Sequence, residues 1–361
     1  MKNKSKVILG ISLIIAISLA GCSKKEPEAI INKEAYSEQQ FLMGTYVKMQ
    51  IFDDGKEDVL DKGFARVKEL ANKITTNEED TTAGAEVEEI NQQAGIKPVK
   101  VSDDVYPLIK KAYDYSVAEE EGFDLAIGPI TKLWHIGFDD ARKPAQTEID
   151  QALKLVKHEN VILDDAAQTV FLKEKGMSLD LGAIAKGYIT DEVVKVFKAN
   201  NVTTAIVDLG GNVYVLGHSP RKASSDWTVG IQDPNQARNT IVGSVPASNQ
   251  SLVTSGIYER NLEVDGEVFH HLFNPKTGYP FDNEIAGVTI ISKESIDGDG
   301  LSTAIFAKGV KEGMDYINTL KDVDAIFVTL DDQIYLSSGV EKVFKLNEES
   351  HYKIGDITKL K

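Results

Sequence analysis

The N-terminus of this chain decides how much of it is available to fold. Lys2, Lys4 and Lys6 precede a fourteen-residue apolar run, Val7 to Ala20, and a small-residue site that ends at Cys22. Charge, apolar run and small-residue site together form the pattern of a secretory signal. The run is shorter than the roughly 20 residues that span a bilayer, and Gly10 interrupts it, so cleavage of residues 1–21 is expected. Ser23 to Glu38 is rich in Lys, Glu and Asn and poor in apolar residues, which reads as a solvated tether. About 320 residues remain, here assigned to one folded unit over 39–355, enough for a large packed core.

Cys22 is the only cysteine of the 361 residues, so no internal disulfide can form. Leu19-Ala20-Gly21-Cys22 resembles the bacterial lipobox, whose cysteine thiol receives a lipid. Each buried acyl CH₂ contributes about 0.8 kcal/mol, so two palmitate-length chains would hold the protein at a cell membrane with the remainder in water. The expected location is therefore the extracytoplasmic face, with a lipid anchor. The formal net charge of −16 argues against nucleic acid, whose phosphates need a basic face. The same charge makes any phosphate-bearing ligand dependent on a local cation.

Periodicity then divides the chain. Phe41 to Phe52 reads as a strand broken at Met43-Gly44-Thr45, and Leu60, Phe64, Val67, Ala71 and Ile74 recur at helical spacing. Asn77 to Lys97 is polar and reads as irregular; a second helix is expected from an N-cap at Ser102 through Val105, Leu108, Ile109 and Ala112. Gly128-Pro129 reads as a turn, and a third helix, capped by Thr147, carries Ile149, Leu153 and Val156. Strands are expected at Val161 to Leu163, Val170 to Lys173, Met177 to Leu181 and Ala205 to Leu209, with a helix from about Ile184 to Ala199. The class is α+β, with mixed α/β sheets and packed helices.

Asp265-Gly266, between Tyr258 to Val264 and Glu267 to Phe273, is a strong hairpin signal. A two-residue turn there sets Arg260 opposite His271, Leu262 opposite Phe269 and Tyr258 opposite Phe273. His271 then lies on the apolar face, and His270 on the polar face with Glu259, Asn261 and Glu263.

Two stretches carry candidate chemistry. In Asp297-Gly298-Asp299-Gly300-Leu301-Ser302-Thr303, Asp299 and Thr303 share one helical face and offer hard oxygen donors suited to Mg²⁺. An Asp before a helix also serves as an N-cap, and spacing alone leaves both readings open. In Asp180-Leu181-Gly182-Ala183-Ile184-Ala185-Lys186-Gly187-Tyr188, small residues admit a ligand to a helix N-terminus and Lys186 supplies a cation. A plain strand-to-helix turn capped by Asp180 fits equally well. Neither Gly-x-x-x-x-Gly-Lys-Ser/Thr nor Gly-x-Gly-x-x-Gly occurs, so a nucleotide would be held in another way.

Met43-Gly44-Thr45, Gly122-Phe123-Asp124 with Gly128-Pro129 and Leu133-Trp134, Asp180 to Gly187, Asp208-Leu209-Gly210-Gly211-Asn212, Thr254-Ser255-Gly256, His271 to Gly278 and Asp299 to Thr303 occur in that order. The series resembles the motifs of ApbE-type FAD:protein FMN transferases, from about residue 41 to beyond 310. The resemblance implies a T-fold-related catalytic unit that uses FAD as substrate. It implies flavin or adenosine contacts at Met43, Asn77, Gly122, Phe123, Asp124, Asp180, Lys186 and Phe273. It implies Mg²⁺ held by the Ala183 carbonyl, Asp299 and Thr303, with Ser302 contributing in some members. Asn274 departs from the family's usual Asp, and Ser302 is a weaker ligand than the Asp some members carry.

The implied reaction moves FMN from FAD onto a Thr or Ser hydroxyl of an acceptor protein, releasing AMP. His271 is the candidate base, against the alternative of a core histidine satisfied by backbone. The acceptor pattern resembles Asp-x-x-Ser/Thr-Gly-Ala-Thr. The nearest run here, Asp80 to Glu86, ends in Glu where the modified Thr would stand, so the acceptor is expected to be a separate protein. Two rivals are an FAD pyrophosphatase giving FMN and AMP, and a flavin-binding lipoprotein without turnover.

Overall fold

The structure, a computed structural model, describes residues 29–76, 84–119, 121–221 and 225–360. Cys22 with its leader, Asn77 and residues 80–83 lie outside the described residues. No helix among the described residues is long and apolar enough to cross a membrane.

The chain opens with β1 (Ile31–Leu42) and β2 (Thr45–Asp53), then α1 (Asp58–Ile74), α2 (Glu86–Gln92), β3 (Val99–Lys100), α3 (Tyr106–Ala118), α4 (Gly128–Trp134) and α5 (Gln146–Ala152). There follow β4 (Val161–Asp164), β5 (Thr169–Leu172), α6 (Ala185–Ala199), β6 (Ala205–Leu209), β7 (Asn212–Leu216), β8 (Trp227–Gln232), β9 (Ile241–Ala247) and β10 (Gln250–Gly256). The last part comprises β11 (Asn261–Val264), β12 (Glu267–His270), β13 (Ile285–Ser292), α7 (Ser295–Ile317), β14 (Asp324–Thr329), β15 (Gln333–Leu336), β16 (Lys345–Leu346) and β17 (Lys353–Ile354).

Nine strands form one sheet in the order β1-β2-β6-β7-β10-β13-β14-β15-β17. Its pairings are antiparallel except β15 with β17. Alternation along the strands explains the layers. Val47, Met49 and Ile51 of β2 and Ala205, Val207 and Leu209 of β6 join a core with Phe64 of α1 and Ile189 and Val193 of α6. Val288 and Ile290 of β13 with Ala325 and Phe327 of β14 meet Leu301 and Ile305 of α7 on the same side. The intervening Phe52, Val215, Ile291, Ile326 and Val328 face Trp227, Ile231 and Val245 of the small sheet β16-β9-β8. Buried on both faces, β13 has no exposed residue along its length. A satellite core of Ile130, Trp134, Ile149 and Phe273 supports the β11-β12 hairpin through Leu262 and Phe269.

β2, β4, β5, β6, α1 and α6 stand where periodicity placed them, and the break at Met43-Gly44 is a hairpin turn with φ 54° and 69°. Several expectations are overturned. β1 begins at Ile31, inside the segment read as tether, because pairing with β2 orders it despite its polar composition. The stretch Asn77 to Lys97 contains α2, which the buried Val87 and Ile90 tie to the core. The helix expected at Ser102 starts at Tyr106; the Ser102 carbonyl, not its hydroxyl, accepts from Val105 and Tyr106 N–H. Gly128-Pro129 is not a turn but the first residues of α4, where proline's missing N–H does no harm. At α5 the Glu148 carboxylate accepts from Ala145 N–H, 2.8 Å, so Thr147 is not the cap, and the helix stops at Ala152. Met177 to Leu181 is no strand: Asn91 brackets Leu179 with both amide atoms, and Asp180 N–H donates to Leu125 O.

Candidate active site

The two stretches expected to hold a metal meet where α6 crosses α7. A Cβ on Gly187 would lie 2.3 Å from Ser295 O and 2.7 Å from Asp299 Cβ, so only glycine permits this approach. The contact has a consequence for hydrogen bonding. Gly187 N–H lies in the first turn of α6, where an N–H has no partner within its own helix. Instead it donates to Asp299 Oδ2 at 2.8 Å, and the Ala183 carbonyl has no hydrogen-bond partner among the described residues. A second clamp joins the helices: Asp191 of α6 accepts from Ser295 and Ile296 N–H, each 2.8 Å, capping α7. Burial pushes the Asp191 carboxyl up to about 7, against the pull of those two donors.

Asp299 is 3% exposed and sits in the second turn of α7, so it is not that helix's N-cap. Lys186 Nζ stands 3.4 Å from its Oδ1 and donates to Asn212 Oδ1 at 3.0 Å. Asn212 Nδ2 is buried without a partner. Thr303, one turn beyond Asp299, makes no side-chain hydrogen bond among the described residues; Ser302 is engaged, donating to Asp299 O and meeting Ser255 Oγ, both 2.8 Å. A carbonyl before α6 and a hydroxyl on α7 are therefore left open near a carboxylate that already accepts from Gly187 N–H and pairs with Lys186. That donor set suits a hard divalent cation such as Mg²⁺. It holds one carboxylate, and no group of three His, Cys, Asp or Glu able to hold a metal occurs among the described residues.

The hairpin supplies the remaining chemistry. Leu262 faces Phe269 as expected. β11 and β12 stop at Asn261 and His270, yet His271 Nδ1 continues the register with a 3.2 Å bond to Arg260 O. With Nδ1–H donating there, Nε2 keeps its lone pair. His271 is partly accessible. Burial pushes its pKa down to about 4, and the charges of Arg260, His270 and Lys186 act in the same direction. The polar face expected for His270 is not found. Its Nε2–H donates to Phe281 O, 2.9 Å, its Nδ1 accepts from Leu272 N–H, 3.2 Å, and Phe306 packs edge-on, because the chain turns into the body at that residue. Nor does Tyr258 face Phe273, which bridges to Pro280 instead.

Among the described positions implied to contact FAD, Lys186 stands at this junction and the others come from separate stretches of chain. Gly122 abuts α7, where a Cβ would lie 2.5 Å from Ala307 Cβ, and Phe123 is buried against Tyr115. The Asp124 carboxylate accepts from Ala126 N–H, 2.8 Å, and from His158, 3.2 Å at both N–H and Nδ1; burial raises its pKa. Asp180 Oδ1 accepts from Gly182 N–H, 2.8 Å, and so braces the turn before α6, but it does not cap that helix, whose N-cap is Ile184. Phe273 packs on Trp134, ring centres 5.8 Å apart, and Met43 occupies the left-handed corner of the first hairpin. Asn274 Oδ1 accepts from Lys276 N–H, 2.8 Å, so the turn-forming part of this position needs no carboxylate.

A family model described as the ApbE family matches residues 43–327. The chain belongs to the ApbE family. It is 39% identical over 327 residues to a Klebsiella pneumoniae protein named FAD:protein FMN transferase, covering 91% of this chain and 99% of that one. A Treponema pallidum protein of the same name is 32% identical over 320 residues, covering 84% and 87%. The crystal structure of the Thermotoga maritima ApbE protein superposes with a TM-score of 0.77 at 27% identity, covering 86% of this chain and 99% of that one. Sequence reasoning quoted Asn212 within its motif but gave it no task, and it did not foresee Asp191 or Gly187 N–H. The ApbE-family motif series contains all but Asp191, which only its place opposite the start of α7 distinguishes.

Proposed function

We propose that this chain transfers FMN from FAD to a Thr or Ser hydroxyl of a separate, extracytoplasmic acceptor protein, releasing AMP. The observation that carries the reading is the unpartnered Ala183 carbonyl in the turn before α6, four residues from Gly187, whose N–H bonds Asp299 on a distant stretch of chain. With Asp299 and Thr303 it would hold Mg²⁺, while Ser302 has its hydroxyl committed elsewhere. Bound there, the ion supplies neutralisation of charge on the pyrophosphate oxygens as the phosphorus–oxygen bridge breaks. Lys186 adds a cation beside Asp299, which answers the chain's net charge of −16.

His271 Nε2 takes the proton of the acceptor hydroxyl as its oxygen bonds to the FMN phosphorus and AMP departs. A depressed pKa keeps the imidazole neutral at pH 7, as a base requires, and the phosphates of FAD oppose the cations that help depress it. The part-exposed ring also admits water, which favours FAD hydrolysis to FMN and AMP as a second reaction of the same site. The lipobox-like Leu19 to Cys22 supports anchoring at the extracytoplasmic face; Cys22→Ser should move the protein out of the membrane fraction.

The deciding experiment mixes the protein with FAD, Mg²⁺ and a candidate acceptor and reads flavin fluorescence after denaturing electrophoresis. A labelled acceptor supports transfer, free FMN alone indicates hydrolysis, and intact FAD reduces the protein to a binder.

A further inference from the structure

We infer that Arg260 recognises a carboxylate on the acceptor polypeptide near the hydroxyl to be modified; this rests on the transferase reading above. Arg260 is exposed and has no Asp or Glu within ion-pair distance among the described residues, in a chain whose acidic residues outnumber basic ones 56 to 40. Its neighbour Glu259 pairs with Arg238 at 2.8 Å and leaves it unneutralised.

The side chain nevertheless has a prepared bed. A Cβ on Gly137 would stand 2.8 Å from Arg260 Cδ, and one on Gly44 3.1 Å from Nη2. Both glycines have positive φ, 98° and 69°, and they belong to different parts of the chain, the segment after α4 and the β1-β2 turn. Two backbone corners thus leave room for one arginine. The Arg260 carbonyl bonds His271 Nδ1, so the guanidinium belongs to the residue paired with the candidate base. A planar fork with room left for it by two backbone corners, and with no acidic partner among the described residues, fits a carboxylate in bidentate geometry. FAD phosphate is the less suitable partner, because the cation and donors for it cluster at Asp299, which is 3% exposed, whereas Arg260 stands in the open.

The test uses the full folded chain, FAD, Mg²⁺ and synthetic peptides carrying Asp-x-x-Thr-Gly-Ala-Thr, with the Asp kept or replaced by Asn or Lys. The readout is the ratio of kcat/KM between peptides for one enzyme at a time, which cancels any change in the base itself. The wild type should favour the Asp peptide over the Asn peptide by roughly fivefold, as expected of a partly exposed pair. Arg260→Ala should level the ratio, and Arg260→Glu should turn it toward the Lys peptide. An unchanged ratio in both variants overturns the inference. A large rise in the Kd for FAD with Arg260→Ala also overturns it, placing the arginine on the nucleotide. If the wild type labels no peptide and no candidate acceptor while still releasing AMP, the transfer reading falls and this inference falls with it.

Discussion

The α6-α7 junction and the β11-β12 hairpin carry the two halves of the proposed chemistry and are built on opposite terms. At the junction Asp299 and Gly187 are buried, and Asp299, which helps to bind the helices together, also belongs to the site. At the hairpin the strands are short, Arg260 is exposed, and the satellite core beneath is separate from the main one. Charge handling sits where the fold is least able to move, and acceptor handling where it can adapt. Changes at the junction should therefore disturb stability and turnover together. Changes at the hairpin should disturb turnover alone near neutral pH.

The largest expected effect separates the regions most cleanly. His271→Ala should lower acceptor labelling by roughly 10²- to 10⁴-fold while FAD binding and the melting temperature at pH 7.5 hold. Unchanged labelling would remove His271 from the mechanism. Asp299→Ala should reduce AMP release on the order of a hundredfold and also lower the melting temperature, because Gly187 N–H and Lys186 lose their partner. AMP release that survives both this change and chelation would end the metal reading.

Gly187→Ala inserts a methyl against Ser295 O and should cost about 1–3 kcal/mol in denaturant unfolding, with turnover falling in step. A stable, fully active variant would show that the helices need not touch there. The smallest effect is in pH dependence, where the regions should slope in opposite directions. The Asp191 carboxyl is raised to about 7 in the fold, so the folded chain holds its proton over a range where the unfolded chain has lost it, and stability falls as pH rises toward 7. Asp191→Asn should flatten that limb. His271 is depressed to about 4, so between about 4 and 6.5 the unfolded chain binds more protons, and stability falls as pH drops through that window. His271→Ala should reduce that limb and leave the other unchanged.

Legibility follows the range of the interaction. The strands β2, β4, β5 and β6 and the helices α1 and α6 could be read because burial imposes its period on neighbouring residues. The Asp265-Gly266 turn set the Leu262–Phe269 register by local geometry. The extended run around Leu179 misled because Asn91 satisfies the backbone that a partner strand would otherwise bond. The fates of the paired histidines could not be read because β12 ends between them, and alternation stops applying once the chain leaves the sheet.

By itself, the order of motifs along the chain determined the family, and apolar spacing determined some of the elements, β2, β6, α1 and α6 among them. Only the tertiary structure decided what would meet the Gly187 N–H. The first-turn N–H groups of a helix have no partner within it, and Asp299 reaches that of Gly187, at 2.8 Å, because a glycine is thin enough to let α7 approach.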